Sequence, residues 1–459
     1  MVWRGIIILT IVWLLFEGLI RKIIPGQPQW ILLVKDIIIA TAYCAFLLNR
    51  PLYRLTESKP WQQSNTFYVI TFFYLCALIY GCFRVELFSL PLLYIGIRAY
   101  LLFIPLLFLG YWLFNSPDLM YKSFFWLSLL IIFPTVLAII EIYSNQTGAV
   151  LVPGLGVLDR HIKQHMSSMG NVYFVGATFD VPERLASMSF FFYLVSLSLI
   201  PHERGTKKIM LIVASIMSIF CVIVSGRRTG VYVAIIGTLL LLPYLIKWRK
   251  LFQIVIIGAL LVTSVLLIYH YYPNPFYLAG DTTEDELLGR AGNLDIATII
   301  STKGHFWGHG IGVKTQGAQY ILGENAVNVY LYNVDWIEGL LPKVIYELGA
   351  IGGLIFISWL CYMTYLLYRY SRPDIDKVRS LTFALYLSIV LTILWSLKGH
   401  QIMGDGHTLF RFWLSAGIIL GTSRFRKNIK ARNEAEQRSK GKMLRFAYSG
   451  SRSPLVTEK

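Results

Sequence analysis

The chain has 459 residues, 56% hydrophobic and 15% charged, with a mean hydropathy of +0.59 and a formal net charge of +17. That composition excludes a soluble globular domain, because water does not solvate so much apolar surface. It also speaks against a disulfide or zinc framework: Cys44, Cys76, Cys82, Cys221 and Cys361 are scattered, and they read as small core hydrophobes.

A helix rising about 1.5 Å per residue needs about 18 or more apolar residues to cross a hydrocarbon core about 30 Å thick. Runs of this kind predict helices at 5–20, 31–48, 67–82, 88–114, 122–143, 185–200, 208–225, 229–246, 251–270, 340–369, 378–398 and 408–422. The fold class expected is all-α, a polytopic transmembrane bundle of about twelve spans. The first run contains Glu17 and is followed by Arg21-Lys22 and Pro25-Gly26 with no small-x-small cleavage site, so it reads as a retained helix. Two connections are long, Ser144 to Arg184 and Tyr271 to Gly339. The organisation expected is helices over 1–270, a large outer loop over 271–339, three helices over 340–422, and a basic tail over 423–459.

Lys/Arg asymmetry sets the orientation. The basic tail places the C-terminus inside, and an even number of spans then places the N-terminus inside with Arg4. The loops bearing Arg50, Arg54 and Lys59, then Arg204, Lys207 and Lys208, then Lys247, Arg249 and Lys250, and the stretch from Arg369 to Arg379 also fall inside. Both long loops fall outside. Many basic residues nevertheless fall outside at helix ends, among them Arg21, Lys22, Lys35, Arg184, Arg227, Arg228, Arg290, Lys343 and Arg411, with Arg98 inside the fourth span. Arg at a helix centre costs about 2.5–3.5 kcal/mol on insertion scales, so these cations point to an anionic ligand at the outer surface.

Five segments carry chemistry. Ser225-Gly226-Arg227-Arg228-Thr229-Gly230 is a tight turn with two guanidinium groups beside a helix N-terminus, which suits phosphate oxygens; the alternative is snorkelling to lipid head groups. In the second, Glu17 and Arg21 lie four apart and could pair, as could Lys35 and Asp36. Third, Arg98 is either functional or held by a structural partner such as Glu86, Glu141 or backbone carbonyls. The fourth is the outer loop. It holds Arg290, the glycine run Gly308-His309-Gly310-Ile311-Gly312, Glu338, and then Lys343 and Glu347, with Pro342 suited to the first turn of a helix. A carboxylate there could act as general base on a sugar hydroxyl; the plainer reading is a helix-dipole partner at Glu338 and a Lys343–Glu347 surface pair. No strand–turn–helix context makes the glycine run a dinucleotide loop. Fifth, His400, Asp405, His407 and Arg411 lie in or beside a last outer loop, read as solvated rather than as a metal site.

This layout resembles the O-antigen polymerase and ligase superfamily of membrane glycosyltransferases. The resemblance is carried by about twelve spans, the large outer loop before the last three helices, Ser225–Gly230, Gly308–Gly312, Tyr346-Glu347-Leu348-Gly349, and Glu17-Gly18 with Arg21-Lys22. It implies a GT-C-like bundle in the bacterial inner membrane with a large periplasmic loop and both termini cytoplasmic. The implied activity is glycosyl transfer from an undecaprenyl-diphosphate-linked oligosaccharide, with no metal and no cofactor. The implied partners are that lipid-linked substrate, membrane lipids and a chain-length regulator protein, and no nucleic acid. The motif match gives Arg227 and Arg228 the diphosphate, with Arg98, Arg290, Lys343 and Arg21 as further contacts. Glu338, Glu347 and His309 are the candidate bases. The ligase pattern has His immediately before an Asn in the large loop; here Val327 precedes Asn328, which favours polymerase over ligase.

Overall fold

The computed structural model describes residues 2–24, 30–49, 65–83, 90–147, 151–152, 175–245, 306–313, 339–373, 375–398 and 405–425. Among them there is no strand. The helices are α1 (Val2–Ile23), α2 (Ile31–Asn49), α3 (Asn65–Phe83), α4 (Leu90–Ile97), α5 (Leu106–Leu113), α6 (Pro117–Leu129), α7 (Ile132–Thr147), α8 (Pro182–Leu199), α9 (Gly205–Val224), α10 (Arg228–Leu245), α11 (Leu340–Tyr370), α12 (Asp376–Lys398) and α13 (406–425). These match the predicted positions, except for the run at 251–270, which lies outside the described residues.

Among the described residues, seven segments are long and apolar enough to cross a membrane: Thr66–Phe83, Leu90–Leu113, Pro117–Ser144, Pro182–His202, Gly205–Val224, Leu340–Tyr370 and Val378–Leu397. Large apolar side chains ring the bundle, among them Ile8, Ile37, Leu48, Phe72, Trp126, Ile216 and Leu354. An exposed apolar perimeter of this extent is what a lipid-facing surface requires. The sequence places the cysteines in the core, but only Cys221 is buried; Cys44, Cys76 and Cys361 face outward on this perimeter, where a thiol is as apolar as its neighbours.

At the centre stands α8, which packs on α6, α9, α10 and α12; α1 pairs with α2, and α3 with α11. Almost every described side chain of α13 is buried. Small residues set its crossing with α5. A β-carbon on Gly417 would strike the Leu107 carbonyl, and one on Gly110 would strike the Leu414 carbonyl, so the two backbones touch. Close approach of this kind drives helix association where lipid removes the hydrophobic incentive.

Among the described residues, three predicted single spans are interrupted, the last of them at Gly349 in α11. A π turn, Arg98–Leu102, separates α4 from α5. Pro105, just beyond it, has no N–H with which to continue the ladder. Carbonyls at the break are taken up by tyrosines: Tyr43 donates to Leu102 O at 2.6 Å and Tyr74 to Tyr100 O at 3.4 Å. Satisfaction by neighbouring helices is what makes a break tolerable at membrane depth. The second interruption is at Leu130–Ile131, between α6 and α7.

Candidate functional site

Ion pairs gather at one end of the bundle, where α1 finishes and α2, α8, α10 and α13 begin. Lys35 Nζ lies 2.6 Å from Glu17 Oε1, with both side chains 1% exposed. Arg98 Nε lies 2.7 Å from Asp36 Oδ2, which also accepts from the Tyr94 hydroxyl at 2.9 Å. Arg21 meets Asp180 at 3.0 Å, Asp180 also pairs with Arg184, and Arg184 Nε reaches Asp405 Oδ1 at 2.7 Å. Lys22 lies 3.6 Å from Glu141, and Arg227 pairs with Glu183. Six cations are thus matched by six carboxylates, with His407 beside Asp405 at 3.3 Å.

Short-range sequence pairs are not the ones the fold makes. Glu17 takes Lys35 instead of Arg21, Lys35 and Asp36 turn to different helices, and Arg98 takes Asp36 in place of Glu141, while Glu86 lies outside the described residues. Glu141 instead accepts the Ala177 amide at 2.6 Å. Asp405 and His407 are buried, so the stretch read as a solvated loop ends inside the cluster. Asp405 caps α13, accepting the Thr408 amide at 3.0 Å and its hydroxyl at 2.6 Å. A carbonyl only accepts, so His407 Nε2–H donates to Leu14 O at 3.0 Å and ties α13 to α1.

The segment 175–181 lies across α1. Leu19 N–H donates to Thr178 O at 2.8 Å, and Lys22 Nζ to Ala177 O at 3.2 Å. Gly18 permits the approach, since a β-carbon there would collide with the Asp180 amide. Asp180 thereby sits between Arg21 and Arg184. Burial alone raises its pKa, but Arg184, His407 and Arg21 outweigh that and hold the carboxyl at about 2. Asp405 is held well below the usual carboxylate range despite its burial, chiefly by Arg184 and then by His407.

A second assembly adjoins the first through the π turn. Arg98 at its start faces Asp36, and Tyr100 in its middle donates to Glu347 Oε2 at 2.6 Å. The Lys343–Glu347 pair was expected at the surface, yet both side chains are fully buried in α11. Pro342 does lie in the first turn of that helix. At Gly349 the backbone leaves helical geometry (φ 79°, ψ 175°), and residues 306–313 dock into the kink. His309 N–H donates to Tyr346 O at 3.0 Å, Gly310 N–H to Glu347 O at 3.0 Å, and Ile311 N–H to Gly81 O at 3.2 Å. Gly308 has φ +80°, and a β-carbon on it would collide with the Gly349 amide. The glycine run is therefore a docked segment that satisfies backbone freed by the kink. It carries His309, half-buried and stacked on Tyr346 with ring centroids 4.3 Å apart.

Of the candidate residues, Arg21, Arg98 and Arg227 lie in the ion-pair cluster, while Lys343, Glu347 and His309 lie around the kink. Arg228 begins α10, and Glu338 and Arg290 lie outside the described residues. Arg411 is spent on Ser187 and Thr392. Sequence reasoning passed over Asp180 and Glu183, and considered Glu141 only as a partner for Arg98, whereas it meets Lys22. The signal that could have found them is a carboxylate at a helix end whose neighbouring ends carry unmatched cations, as with Asp180 four residues before Arg184.

Magnitudes separate these pairs. Removing one partner of a buried pair costs about 3–5 kcal/mol, because the other charge is left uncompensated. An exposed pair contributes about 0–1 kcal/mol. Lys35–Glu17 belongs to the first kind, whereas Arg227–Glu183, 33% and 27% exposed, is near the second. Among the described pairs of the cluster, Arg227–Glu183 is the one an outside anion can most readily open. Neither a family model nor a curated protein matches this chain.

Proposed function

We propose that the protein is a glycosyltransferase of the bacterial inner membrane that polymerises undecaprenyl-diphosphate-linked oligosaccharide at the periplasmic face. The observation that carries this reading is Arg227, a guanidinium at the rim of the cluster where α8 and α10 both start, held by a partner weak enough to yield. Helix N-termini and an Arg fork both favour phosphate oxygens. Support for the orientation comes from the opposite end of the bundle. There Arg4, Arg204, Lys207, Lys208, Arg372, Arg379 and Arg424 accumulate, as the positive-inside rule asks of a cytoplasmic face.

In the reaction, an acceptor hydroxyl attacks the anomeric carbon and its proton passes to a base. The bond from that carbon to the diphosphate oxygen breaks, and the lipid diphosphate leaves with the electron pair. Arg227, with Arg228 next to it in sequence, stabilises the charge that develops on the leaving group. Of the three candidate bases, His309 is the one we assign, because it is half-buried at the kink while Glu347 is enclosed with Tyr100. A chain-length regulator is the expected protein partner.

The test is purified protein in liposomes with lipid-linked repeat units. Wild-type protein is expected to lengthen them, and Arg227→Ala with Arg228→Ala to slow this about a hundredfold or more, the scale of losing one charge-stabilising donor. Lys at these positions restores activity only partly, because the fork is lost. Repeat units left unchanged by wild-type protein in the presence of acceptor refute the assignment.

A second reading, a flippase for the same lipid-linked sugar, draws on the broken helices. The α4–π–α5 interruption and the Gly349 kink face each other through Tyr100 and Glu347, and transporters place their sites on such helices. Movement of a fluorescent lipid-linked sugar between leaflets, with no change in its length, would favour it.

A further inference from the structure

The same rim contact raises a question of selectivity. The bundle's perimeter is apolar, so bilayer lipids abut the site and bring anionic head groups to it at high local concentration. Without a carboxylate beside it, Arg227 would be more open to whichever head group came first. Glu183, in the first turn of α8, occupies it instead. Tethered to the same molecule, that carboxylate competes at an effective concentration of about millimolar or more. A head group with one negative charge offers Arg227 nothing that Glu183 does not already supply. A diphosphate offers more charge and several acceptor oxygens in a geometry the fork can grip.

We propose that Glu183 is a specificity-determining residue: it excludes singly charged lipid head groups from Arg227 and gives way only to a ligand of higher negative charge. This rests on the diphosphate reading above. The neighbouring pairs cannot play the part, because Lys35–Glu17, Arg98–Asp36 and Arg184–Asp405 are more deeply buried and more costly to open. Glu183 also lies in a helix first turn, where a carboxylate is favoured when unpaired. It therefore has a place to rest once displaced.

The experiment measures binding of farnesyl diphosphate to full-length protein in nanodiscs of phosphatidylcholine alone or of an equal mixture with phosphatidylglycerol. Wild-type affinity is expected to differ less than about twofold between the two. Glu183→Gln is expected to bind about fivefold more tightly in phosphatidylcholine and to lose that gain in the mixture. Glu183→Asp keeps the charge and should behave as wild type, which a merely structural role for the longer side chain would not give. Arg227→Gln should lose the preference for diphosphate in both lipids. Equal lipid dependence in Glu183→Gln and wild type overturns the filter and leaves the diphosphate reading standing. Wild-type protein that binds farnesyl diphosphate no more tightly than farnesol overturns both.

Discussion

Lys35 and Glu17 enclose each other so completely that neither can be changed alone without leaving a charge in a dry interior. Lys35→Met is expected to destabilise the protein by about 3–5 kcal/mol, read as a lower thermal midpoint in detergent. Glu17→Met with Lys35→Met should recover most of it, since two apolar side chains of similar volume often replace a buried pair at little cost. A single variant that melts with wild type would show that the pair is hydrated. The contrast with Arg227 is one of burial, not of chemistry: the same kind of contact is structural at one depth and exchangeable at another. No hydropathy scan separates the two, because each cation sits at a helix end next to a polar turn.

Elements are held in place by backbone approaches that only glycine permits. Residues 306–313 enter the Gly349 kink with Gly308 at φ +80° against the Gly349 amide. Gly308→Ala adds a collision to a backbone strain of about 1–3 kcal/mol. Hydrogen exchange at the amides of His309, Gly310 and Ile311 should then quicken at least about tenfold, while α8 and α12 keep their protection. Gly5→Ala, where a β-carbon meets open space, is the control. Unchanged exchange in Gly308→Ala would mean that the docked segment is not held by this contact. The run's spacing was visible in the sequence. That it plugs a helix break was not visible, because the kink lies about forty residues later.

Among the described residues, the two ends of the bundle differ in the contacts their cations make. One end answers its cations with carboxylates; at the other, Arg4 and Arg424 hydrogen-bond to carbonyls, and Arg424 lies 3.7 Å over the Trp112 ring. If the paired end faces outward, a cysteine at Arg227 should react with a membrane-impermeant maleimide on intact cells. One at Glu203 should react only after permeabilisation. Both belong in a background without the five native cysteines. The reverse pattern would invert the orientation and remove the periplasmic chemistry.

Helix positions followed from apolar run length, because the bilayer imposes one dimension on every span and composition alone reports it. The interruption at Arg98–Leu102 and the pairing of Arg98 with Asp36 did not, although Pro105 was in view. Outward cations were legible as residues, but not as partners. A charge in a membrane protein takes the nearest opposite charge in space, and proximity among a dozen helix ends is decided by how the helices pack. Tertiary structure alone therefore separated the enclosed Lys35–Glu17 pair from the Arg227–Glu183 pair at the rim.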